Sequence, residues 1–380
     1  MRVDQLTLTG FRSYARLDLR LGDGPQVIVG DNAAGKTNLI EAIVVLARGA
    51  SHRSSTDAEL IRWGEPLTRL EAGVAHGPAR GPDRIEVTLE RGVAGGARKR
   101  MRVDGVPRRA VALGEALRVV LFAPEEMLLV VGQPSLRRTA IDALAGARSP
   151  AYGRAMATYG RALQQRNGLL RRIRDGEAET DQLPYWSAII IEHGGAIVGQ
   201  RLALLADLAP ILAASHAQIA PAEPELRLRY VTNAPADADE TPEMALRRRL
   251  TETAEKELWN GATLVGPHRD DIAFELGGRD LASFASRGQQ RTAILSLKLA
   301  ELDLLTDPVT GEAPLLLLDD VFSELDPDRR AHLVRRIRGL PQTLVTTTTL
   351  DDLDPILVAE SATWHVRDGV VEAGLAGAAR

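Results

Sequence analysis

The chain has 380 residues, with 47 lysines and arginines, 51 acidic residues and a net charge of −4. Its length suits two domains or one domain with a large insertion, and its composition is ordinary for a soluble globular protein. The lack of cysteine excludes disulfides, thiolate chemistry and cysteine-ligated zinc. No apolar run approaches the ~18 residues of a membrane span, and the N-terminal segment lacks the apolar core of a signal peptide. We therefore expect a cytoplasmic protein with no membrane partner.

The first part of the chain is predicted to be strands around one helix. Apolar alternation predicts strands at Val3–Thr9 and Gln26–Val29, and helical spacing follows from about Lys36 to Ala47. Two further stretches, Arg84–Leu89 and Arg98–Val103, are typical of an antiparallel sheet.

The middle of the chain changes to helical spacing between about Pro134 and Asn260. After Gly261 the alternation returns, with strands and helices predicted at Asp271–Leu276, 289–305, 315–318, Pro327–Arg338 and Thr343–Thr347. This order predicts a discontinuous α/β domain over residues 1–122 and 262–380, flanking a helical insertion over residues 123–261.

One short stretch between a predicted strand and a predicted helix has the pattern of a phosphate-binding loop. It reads GDNAAGKT and comprises Gly30, Asp31, Asn32, Ala33, Ala34, Gly35, Lys36 and Thr37. In such a loop the backbone N–H groups and the start of the helix face a phosphate, the lysine contacts the β- and γ-phosphates, and the hydroxyl binds Mg²⁺. Only four of the 47 basic residues are lysines, and one of them is Lys36. The sequence therefore predicts a nucleotide phosphate and Mg²⁺ as ligands, although a simple glycine turn fits the same pattern.

Two acids follow a run of four leucines far downstream, at Asp319 and Asp320. Ligands bind at the carboxyl ends of parallel strands, so we expect Asp319 to help hold Mg²⁺ and Asp320 to orient the attacking water. Nine acids and no lysine or arginine lie between Glu301 and Asp328, a field that favours a nearby cation.

These stretches together resemble the SMC/RecF group of ABC-type ATPases. The loop resembles that group's extended Walker A motif, LLLLDDVFSELD its Walker B motif and D-loop, and ASRGQQRTAILSLKLAEL its signature motif. Three shorter stretches, FRSY, SHR and GPHRDD, point more narrowly to the RecF family. The resemblance covers almost the whole chain. It implies an α/β ABC-type ATPase head with mixed sheets around a P-loop helix, plus a mostly helical inserted lobe.

The resemblance also implies a composite site shared by two molecules. In the family the signature motif meets ATP bound by a second subunit, so Ser286, Gly288 and Gln289 are predicted to contact nucleotide there. A serine before a helix is otherwise an ordinary cap. Asp326 would lie in the D-loop at the same interface. Asp320, Lys36 and Ser286 are the predicted catalytic residues.

Some positions depart from the family pattern. Asp320 stands where most ABC ATPases have glutamate, and its shorter reach fits slow hydrolysis. Ala33 replaces a common glycine and is expected to be tolerated if its φ is negative. Thr346–Thr349 replace the switch histidine. Arg12 either contacts the nucleotide or forms a surface salt bridge, and the sequence leaves both open. The Q-loop glutamine is not identified.

A basic segment inside the insertion is the candidate DNA surface. Residues 134–175 hold nine arginines and two acids. Sequence-independent phosphate contacts are predicted for Arg137, Arg138, Arg166, Arg171, Arg172 and Arg174. A solvated helix face explains the same segment. A second basic stretch spans residues 98–109. Aromatic content is only 4%, so backbone contact with duplex DNA is favoured over base stacking.

The resulting expectation is an ATP-switched DNA clamp of recombinational repair and replication in the DNA damage or SOS response. ATP and Mg²⁺ would drive homodimerisation on duplex DNA near gaps or single/double-strand junctions, and slow, DNA-stimulated hydrolysis would release it. The resemblance implies RecR and RecO as partners in recombinase loading. No nuclease centre is visible. The alternatives are a DNA-binding module that holds ATP structurally with negligible turnover, and, less favoured, a transporter ATPase.

Overall fold

The computed structural model describes residues 1–77, 80–92 and 95–374. Within them the strands are β1 (Arg2–Phe11), β2 (Tyr14–Arg20), β3 (Gly24–Val29), β4 (Leu67–Ala75), β5 (Asp83–Arg91), β6 (Ala97–Val103), β7 (Val106–Pro107), β8 (Val119–Phe122), β9 (Leu226–Val231), β10 (Asp271–Leu276), β11 (Arg279–Asp280), β12 (Leu315–Asp319), β13 (Gln342–Thr347), β14 (Ala362–Arg367) and β15 (Val370–Ala373).

The helices in the same residues are α1 (Lys36–Arg48), α2 (Ala110–Ala116), α3 (Leu128–Val131), α4 (Pro134–Arg148), α5 (Pro150–Arg174), α6 (Leu183–Ile219), α7 (Pro242–Asn260), α8 (Leu281–Phe284), α9 (Arg287–Leu305), α10 (Pro327–Arg338) and α11 (Pro355–Ala359). Every strand and helix predicted from the sequence is present. Their ends differ from the predicted ones by two residues or fewer.

The chain divides into two compact units. The first contains the described residues of Met1–Met127, Ala217–Pro221 and Ile294–Arg380, and the second contains Leu128–His216 and Ala222–Ala293. The first boundary lies close to the predicted one, but the second lies well beyond residue 261. The reason is that β10 pairs antiparallel with β9 over six residue pairs, which ties residues 271–276 to the inserted unit.

Two six-stranded sheets form the first unit. One is antiparallel, in the order β2-β1-β4-β5-β6-β7. The other has the order β15-β14-β3-β13-β12-β8, in which β14, β3, β13, β12 and β8 are mutually parallel and only β15 is antiparallel. Because Asp319 aligns with Thr346, and Thr347 with Val29, the carboxyl ends of β12, β13 and β3 meet at one edge.

Helix α1 lies between these two sheets. It contacts β4 and β5 of one sheet and β12, β13 and β8 of the other, and nearly all of its residues after Asn38 are buried. Between Leu39 and Ala47 this helix is apolar except for Glu41, and a helix so rich in apolar residues is stable only when it is enclosed in this way. The start of α1 is thereby fixed against the edge where the three parallel strands end.

The second unit combines α3 to α8 with the small antiparallel sheet β11-β10-β9. Its longest helix is α6, with 37 residues. By length and composition alone α6 is able to cross a membrane, because an 18-residue window reaches a mean hydropathy of 1.5. The expectation that no segment is apolar enough for a span is therefore corrected. The same test is passed by core helices of soluble proteins, and α6 carries the buried Arg201, which is ion-paired to Asp142.

Candidate nucleotide-binding and hydrolysis site

The predicted phosphate-binding loop connects β3 to α1, and its two glycines are required by close approaches. A Cβ at Gly30 would lie 2.3 Å from the carbonyl oxygen of Val366, and a Cβ at Gly35 would lie 2.8 Å from Ser13 Oγ. Gly35 also has a φ of 117°, which side-chain-bearing residues rarely adopt. The Val366 carbonyl and the Ser13 side chain therefore leave room only for glycine at these two positions of the loop.

Ala33 has a φ of 67°, so the condition under which alanine was expected to be tolerated there, a negative φ, is not met. The left-handed region brings Cβ close to the following carbonyl and costs about 1–2 kcal/mol for a non-glycine residue. Such strain concentrates at functional loops, where the surroundings fix the backbone. Ala33 adopts the conformation that the family's glycine adopts more easily.

Lys36 is buried at the centre of the loop. Its Nζ donates to the carbonyl oxygens of Gly30 at 2.6 Å and Asp31 at 3.0 Å. Burial lowers the pKa of Lys36, and the nearby carboxylates of Asp320 and Asp319 oppose that shift. The ammonium therefore lies inside the loop, among acceptors that phosphate oxygens are able to replace.

Asp319 is at the end of β12 and meets the start of α1. Its Oδ1 accepts from Thr37 Oγ1 at 3.2 Å and from Thr346 Oγ1 at 2.5 Å. The hydroxyl and the carboxylate predicted to hold Mg²⁺ are thus adjacent. Within the part of the chain that the structure describes, no group of three or more His, Asp or Glu side chains is arranged to hold a metal ion. Mg²⁺ commonly uses one or two protein ligands plus substrate phosphates and water, so this pair fits it.

Asp320 follows at once and carries an unsatisfied oxygen. Its Oδ1 is buried with no hydrogen-bond partner, and its backbone N–H donates to Thr346 Oγ1 at 3.0 Å. Burial raises the pKa of Asp320, Lys36 opposes the shift, and Asp319, Glu324 and Asp352 reinforce it. Asp320 has a φ of 51°, in the left-handed region that non-glycine residues rarely adopt. A buried acceptor of this kind suits a bound water or cation.

Thr346 is the residue that the sequence prediction missed. The sequence placed it only in the stretch that replaces the switch histidine, yet its hydroxyl donates to Asp319 and accepts from the backbone N–H of Asp320. The feature of the sequence that could have indicated Thr346 was its position at the end of β13, the strand that pairs in parallel with β12. Thr347 and Thr349 lie in the same stretch, and Thr347 Oγ1 donates to the Thr349 carbonyl.

Arg12 forms an ion pair inside the unit. Its guanidinium donates to both carboxylate oxygens of Glu41, at 2.9 and 2.7 Å, and to the Glu59 carbonyl at 2.9 Å. Glu41 is fully buried in α1 and also accepts from Ser51. Burial acts against ionisation, but the bonds from Arg12 and Ser51 leave the pKa of Glu41 below its usual range. Of the two interpretations of Arg12, the structure displays the salt bridge, with a buried partner.

His52 and Glu125 form a second buried polar group in the same unit. Both ring nitrogens of His52 and the Oε2 of Glu125 are buried without a hydrogen-bond partner. Burial lowers the pKa of His52, and the carboxylates of Glu125, Glu41 and Asp319 oppose this shift. The SHR stretch therefore supplies one side chain to the neighbourhood of Asp319, which the sequence alone did not indicate.

The predicted signature residues form a helix cap in the second unit. Ser286 Oγ accepts from the N–H of Gln289 at 3.3 Å, and Gln289 Oε1 accepts from the N–H of Ser286 at 3.0 Å. This reciprocal pair is a capping box at the start of α9. Gly288 is in the first turn. Ser286 is exposed.

Asp326 plays the same capping role for α10 in the first unit. Its Oδ1 accepts from the N–H of Arg329 at 3.0 Å, and its carboxylate is ion-paired with the Arg329 guanidinium. The side chain is exposed.

Three of the predicted DNA-binding arginines are bonded to partners within the second unit, and the other three are exposed. Arg166 is only 3% exposed and is ion-paired to the buried Glu257 at 2.6 Å, so the prediction that it contacts DNA is corrected. Arg137 forms a bidentate ion pair with Asp271, and Arg138 donates to the Asp270 carbonyl. The exposed members of the set are Arg171, Arg172 and Arg174, the last of which pairs with exposed Asp175.

Comparison with known proteins agrees with this geometry. Residues 2–356 match the model of the RecF/RecN/SMC N terminal domain. A protein of Chloroflexus aggregans named DNA replication and repair protein RecF is 39% identical over 395 residues, which cover 98% of this chain and all of that one. The chain belongs to the RecF family. A Bacillus subtilis protein of the same name is 37% identical over 379 residues, with the same coverage.

Solved structures give the same result for the fold. One of them, described as the recombination mediator protein RecF–ATPrS in the RecFOR pathway, matches with a TM-score of 0.87 and 29% identity, covering 98% of both chains. An Smc head domain derived from Pyrococcus furiosus matches with a TM-score of 0.54 and 18% identity, over 98% of this chain and 95% of that one. That likeness shows the fold alone. The predicted resemblance and the predicted α/β head are both confirmed.

Proposed function

We propose that this chain is an ATP-switched DNA clamp that acts as a recombination mediator in DNA replication and repair. The observation that supports it best is the meeting of Lys36, Thr37, Asp319 and Asp320 around one loop, although they come from distant parts of the sequence. The names of the RecF relatives, and the RecF structures described with ATP and ATPrS, support the same nucleotide and the same process.

Each side chain at the loop has a distinct part in the proposed reaction. Lys36 and the loop N–H groups, from Gly30 to Thr37, bind the β- and γ-phosphates. Thr37 and Asp319 would hold Mg²⁺, which supplies charge neutralisation to the transferred phosphoryl group. Asp320 orients the attacking water and accepts its proton, since its free oxygen has no other partner. Hydrolysis is expected to be slow, because an aspartate reaches less far than the usual glutamate, and DNA is expected to stimulate it.

The proposed switch requires two copies of the chain. Ser286, Gly288, Gln289 and Asp326 are candidates for contacting nucleotide held by a second copy, by the resemblance to ABC-type ATPases. ATP and Mg²⁺ would then close a homodimer on duplex DNA at a gap or a single/double-strand junction. The solved RecF structure is described as part of the RecFOR pathway, so RecO and RecR are proposed partners, and a cytoplasmic location is proposed with them.

The first experiment is sedimentation velocity with ATP, Mg²⁺ and duplex DNA. Lys36→Arg is expected to abolish ATP-dependent dimerisation, because a planar guanidinium does not fit a narrow loop that holds a compact ammonium. Lys256→Arg is the matched control, since Lys256 is exposed in the second unit. A normal ATP-dependent dimer of Lys36→Arg would contradict the loop assignment.

The second experiment distinguishes a hydrolytic switch from a module that holds ATP structurally. Asp320→Asn is expected to keep ATP binding and to lengthen the lifetime of the dimer. If wild type and Asp320→Asn dimers have equal lifetimes with ATP, hydrolysis is not the release step and the structural alternative is favoured.

The third experiment tests the DNA surface. Replacing Arg171, Arg172 and Arg174 by neutral residues is expected to make the slope of log affinity against log salt concentration less steep. The expected change is about 0.9 for each DNA phosphate contact that is lost. Arg227→Gln and Arg247→Gln, exposed in the same unit, are the controls. An unchanged slope in the triple variant would place DNA elsewhere.

A further inference from the structure

Three helices of the second unit meet at one end of it, where α5 ends, α6 begins and α7 ends. The guanidinium of Arg166 in α5 joins them. It donates to Ser187 Oγ of α6 at 3.0 Å and to the buried carboxylate of Glu257 in α7 at 2.6 Å. The residues just before Ser187 and those just after Glu257 therefore lie at the same end of the unit.

Arginines from the last turn of α5 reach the same end. A Cβ at Gly261, which caps α7, would lie 3.1 Å from Arg171 Cγ and 2.9 Å from Arg174 Nη1. The Arg174 guanidinium also donates to the Asn260 carbonyl at 3.5 Å. Trp259 comes directly before Asn260, so its side chain leaves the backbone next to a segment that both arginines contact.

Two large aromatic side chains at this end are open to solvent. Trp259 is 83% exposed and Tyr185 is 64% exposed. The Tyr185 ring meets the Trp186 ring edge to face, with centroids 5.0 Å apart. We call Tyr185, Trp186 and Trp259 the aromatic end. It holds two of the four tryptophans of a chain whose aromatic content is only 4%, and exposed apolar groups that adjoin one another mark interaction sites on soluble proteins.

The charges around the aromatic end nearly cancel. Residues 171–181 contain three arginines and four exposed acids, which are Asp175, Glu177, Glu179 and Asp181. Arg174 is ion-paired with Asp175 at 2.9 Å. Because affinity for a nucleic acid backbone depends on the phosphates that are neutralised, phosphate attraction alone gives little affinity here. A nucleic acid bound at this end therefore needs a further kind of contact.

Stacking on an unpaired base supplies that contact. In a duplex the face of each base is covered by its neighbours, so an exposed ring stacks on a base only where the strand is unpaired. Such stacking depends little on which base is present. Arginines beside the rings add cation–π contacts and hydrogen-bond donors to the phosphates of the same strand. Exposed rings next to a few arginines are thus the combination that single-stranded DNA requires.

We propose that the aromatic end binds single-stranded DNA by base stacking, with Trp259 and Tyr185 as the stacking residues and Arg171 and Arg172 as phosphate contacts. The inference rests on the proposed DNA binding by the α5 arginines. It adds that this surface takes the unpaired part of a gap or junction, whereas the low aromatic content of the whole chain favoured backbone contact with a duplex.

The test is fluorescence anisotropy of the full chain with three DNA molecules of equal length: an oligothymidine strand, an abasic strand and a duplex. The abasic strand keeps the phosphates and lacks the bases. Trp259→Ala is expected to lower the affinity for oligothymidine about ten-fold, within the range of stacking on one base, and to leave the other two affinities unchanged. Trp259→Phe is expected to recover most of this loss. Met244→Ala is the control, because Met244 is half exposed at the other end of α7.

Salt dependence separates stacking from phosphate contact. In Trp259→Ala the slope of log affinity for oligothymidine against log salt concentration is expected to equal that of wild type, because no phosphate contact is lost. Tyr185→Ala is expected to show a smaller loss of affinity at the same slope, since Trp186 already occupies part of the Tyr185 ring. A changed slope in Trp259→Ala would contradict a stacking role.

Three further results would overturn the proposal. Equal affinity of wild type for oligothymidine and the abasic strand means that bases add nothing. Equal affinity of wild type and Trp259→Ala for oligothymidine means that Trp259 does not stack, as expected if the exposed rings serve a protein partner. An equal loss for all three DNA molecules means that Trp259 acts through the fold. Each of these leaves the proposed duplex clamp intact, whereas failure of wild type to bind any of the three would contradict the proposed DNA binding itself.

Discussion

Two buried charged clusters, one in each unit, differ in how well their charges are compensated. In the second unit, Arg201 donates to both oxygens of Asp142, to the Tyr152 and Tyr230 hydroxyls and to the Pro267 carbonyl. In the first unit, Asp319 and Asp320 are adjacent acids, and Asp320 Oδ1 has no hydrogen-bond partner.

The backbone shows the same difference between the clusters. In the first unit, Asp320 and the loop residue Ala33 both have positive φ although neither is glycine. In the second unit, none of the residues that bond to Arg201 has a positive φ. Charges that serve the fold are paired, because an unpaired buried charge is destabilising. Charges kept for a ligand are left partly unpaired, and strain collects around them. Substitutions should therefore have opposite effects on stability in the two clusters.

The largest effect is expected at Arg201. Arg201→Ala leaves the partly buried Asp142 carboxylate without its arginine partner and is expected to lower the free energy of unfolding by about 3–5 kcal/mol. Chemical denaturation measures it, with Arg227→Ala as the control, since its pair with Glu225 is exposed. A decrease below about 1 kcal/mol would show that the cluster is not structural and remove the contrast.

A pH effect comes next, at His268 of the GPHRDD stretch. Burial lowers the pKa of His268 to about 4, while the unfolded chain has a histidine pKa of about 6.5. The unfolded state therefore binds more protons between these values, so stability falls as pH drops from 6.5 toward 4, by about 3 kcal/mol in all.

The measurement for His268 is the free energy of unfolding at several pH values. His268→Gln is expected to lose this part of the pH dependence, while the other groups titrate as before. Parallel curves for wild type and His268→Gln would mean that the histidine is not held neutral by the fold.

The sign is expected to reverse at Asp320. Asp320→Asn removes a charge with an unpaired buried oxygen, and asparagine tolerates positive φ well. Without ATP the variant is expected to be more stable than wild type by about 1 kcal/mol. Thermal unfolding without nucleotide measures it. A less stable variant would mean that Asp320 stabilises the fold, as the paired charges of the second unit do.

The smallest effect is expected at Ala33. Ala33→Gly relieves a positive φ but adds freedom to the unfolded chain, so a net gain of about 0.5 kcal/mol is expected. Ala34→Gly is the matched control, since Ala34 does not have a positive φ. Equal changes in the two variants would show that Ala33 is not strained.

The phosphate-binding loop and the acid pair were predictable because each is a continuous pattern next to a strand end. Lys36 and Thr37 open a helix after a short apolar strand, and Asp319 and Asp320 close a run of leucines. Strand order along the sheet then brings the two stretches together. Thr346 was not predictable in the same way, because threonine at a strand end is ordinary for β structure and its bonds depend on strand pairing.

The basic segment shows why charge counting fails for single residues. Arg166 and Arg171 belong to the same helix, but Arg166 shares a face with Leu170 and Ile173 at helical spacing and is buried against Glu257. That spacing was readable in the sequence. The buried carboxylate that accepts the charge, 91 residues further along the chain, was not.

In the proposed dimer, the capping box at α9 would limit how tightly two copies hold one another. Ser286 and Gln289 already satisfy each other's donors. A nucleotide that binds this helix end must first replace those bonds, so its contacts are an exchange, with a cap contribution of about 1 kcal/mol given up. Because each new contact replaces an existing hydrogen bond, such an association would gain little free energy and would be readily reversible. A small difference in affinity between a triphosphate and its product would then be enough to open the proposed dimer.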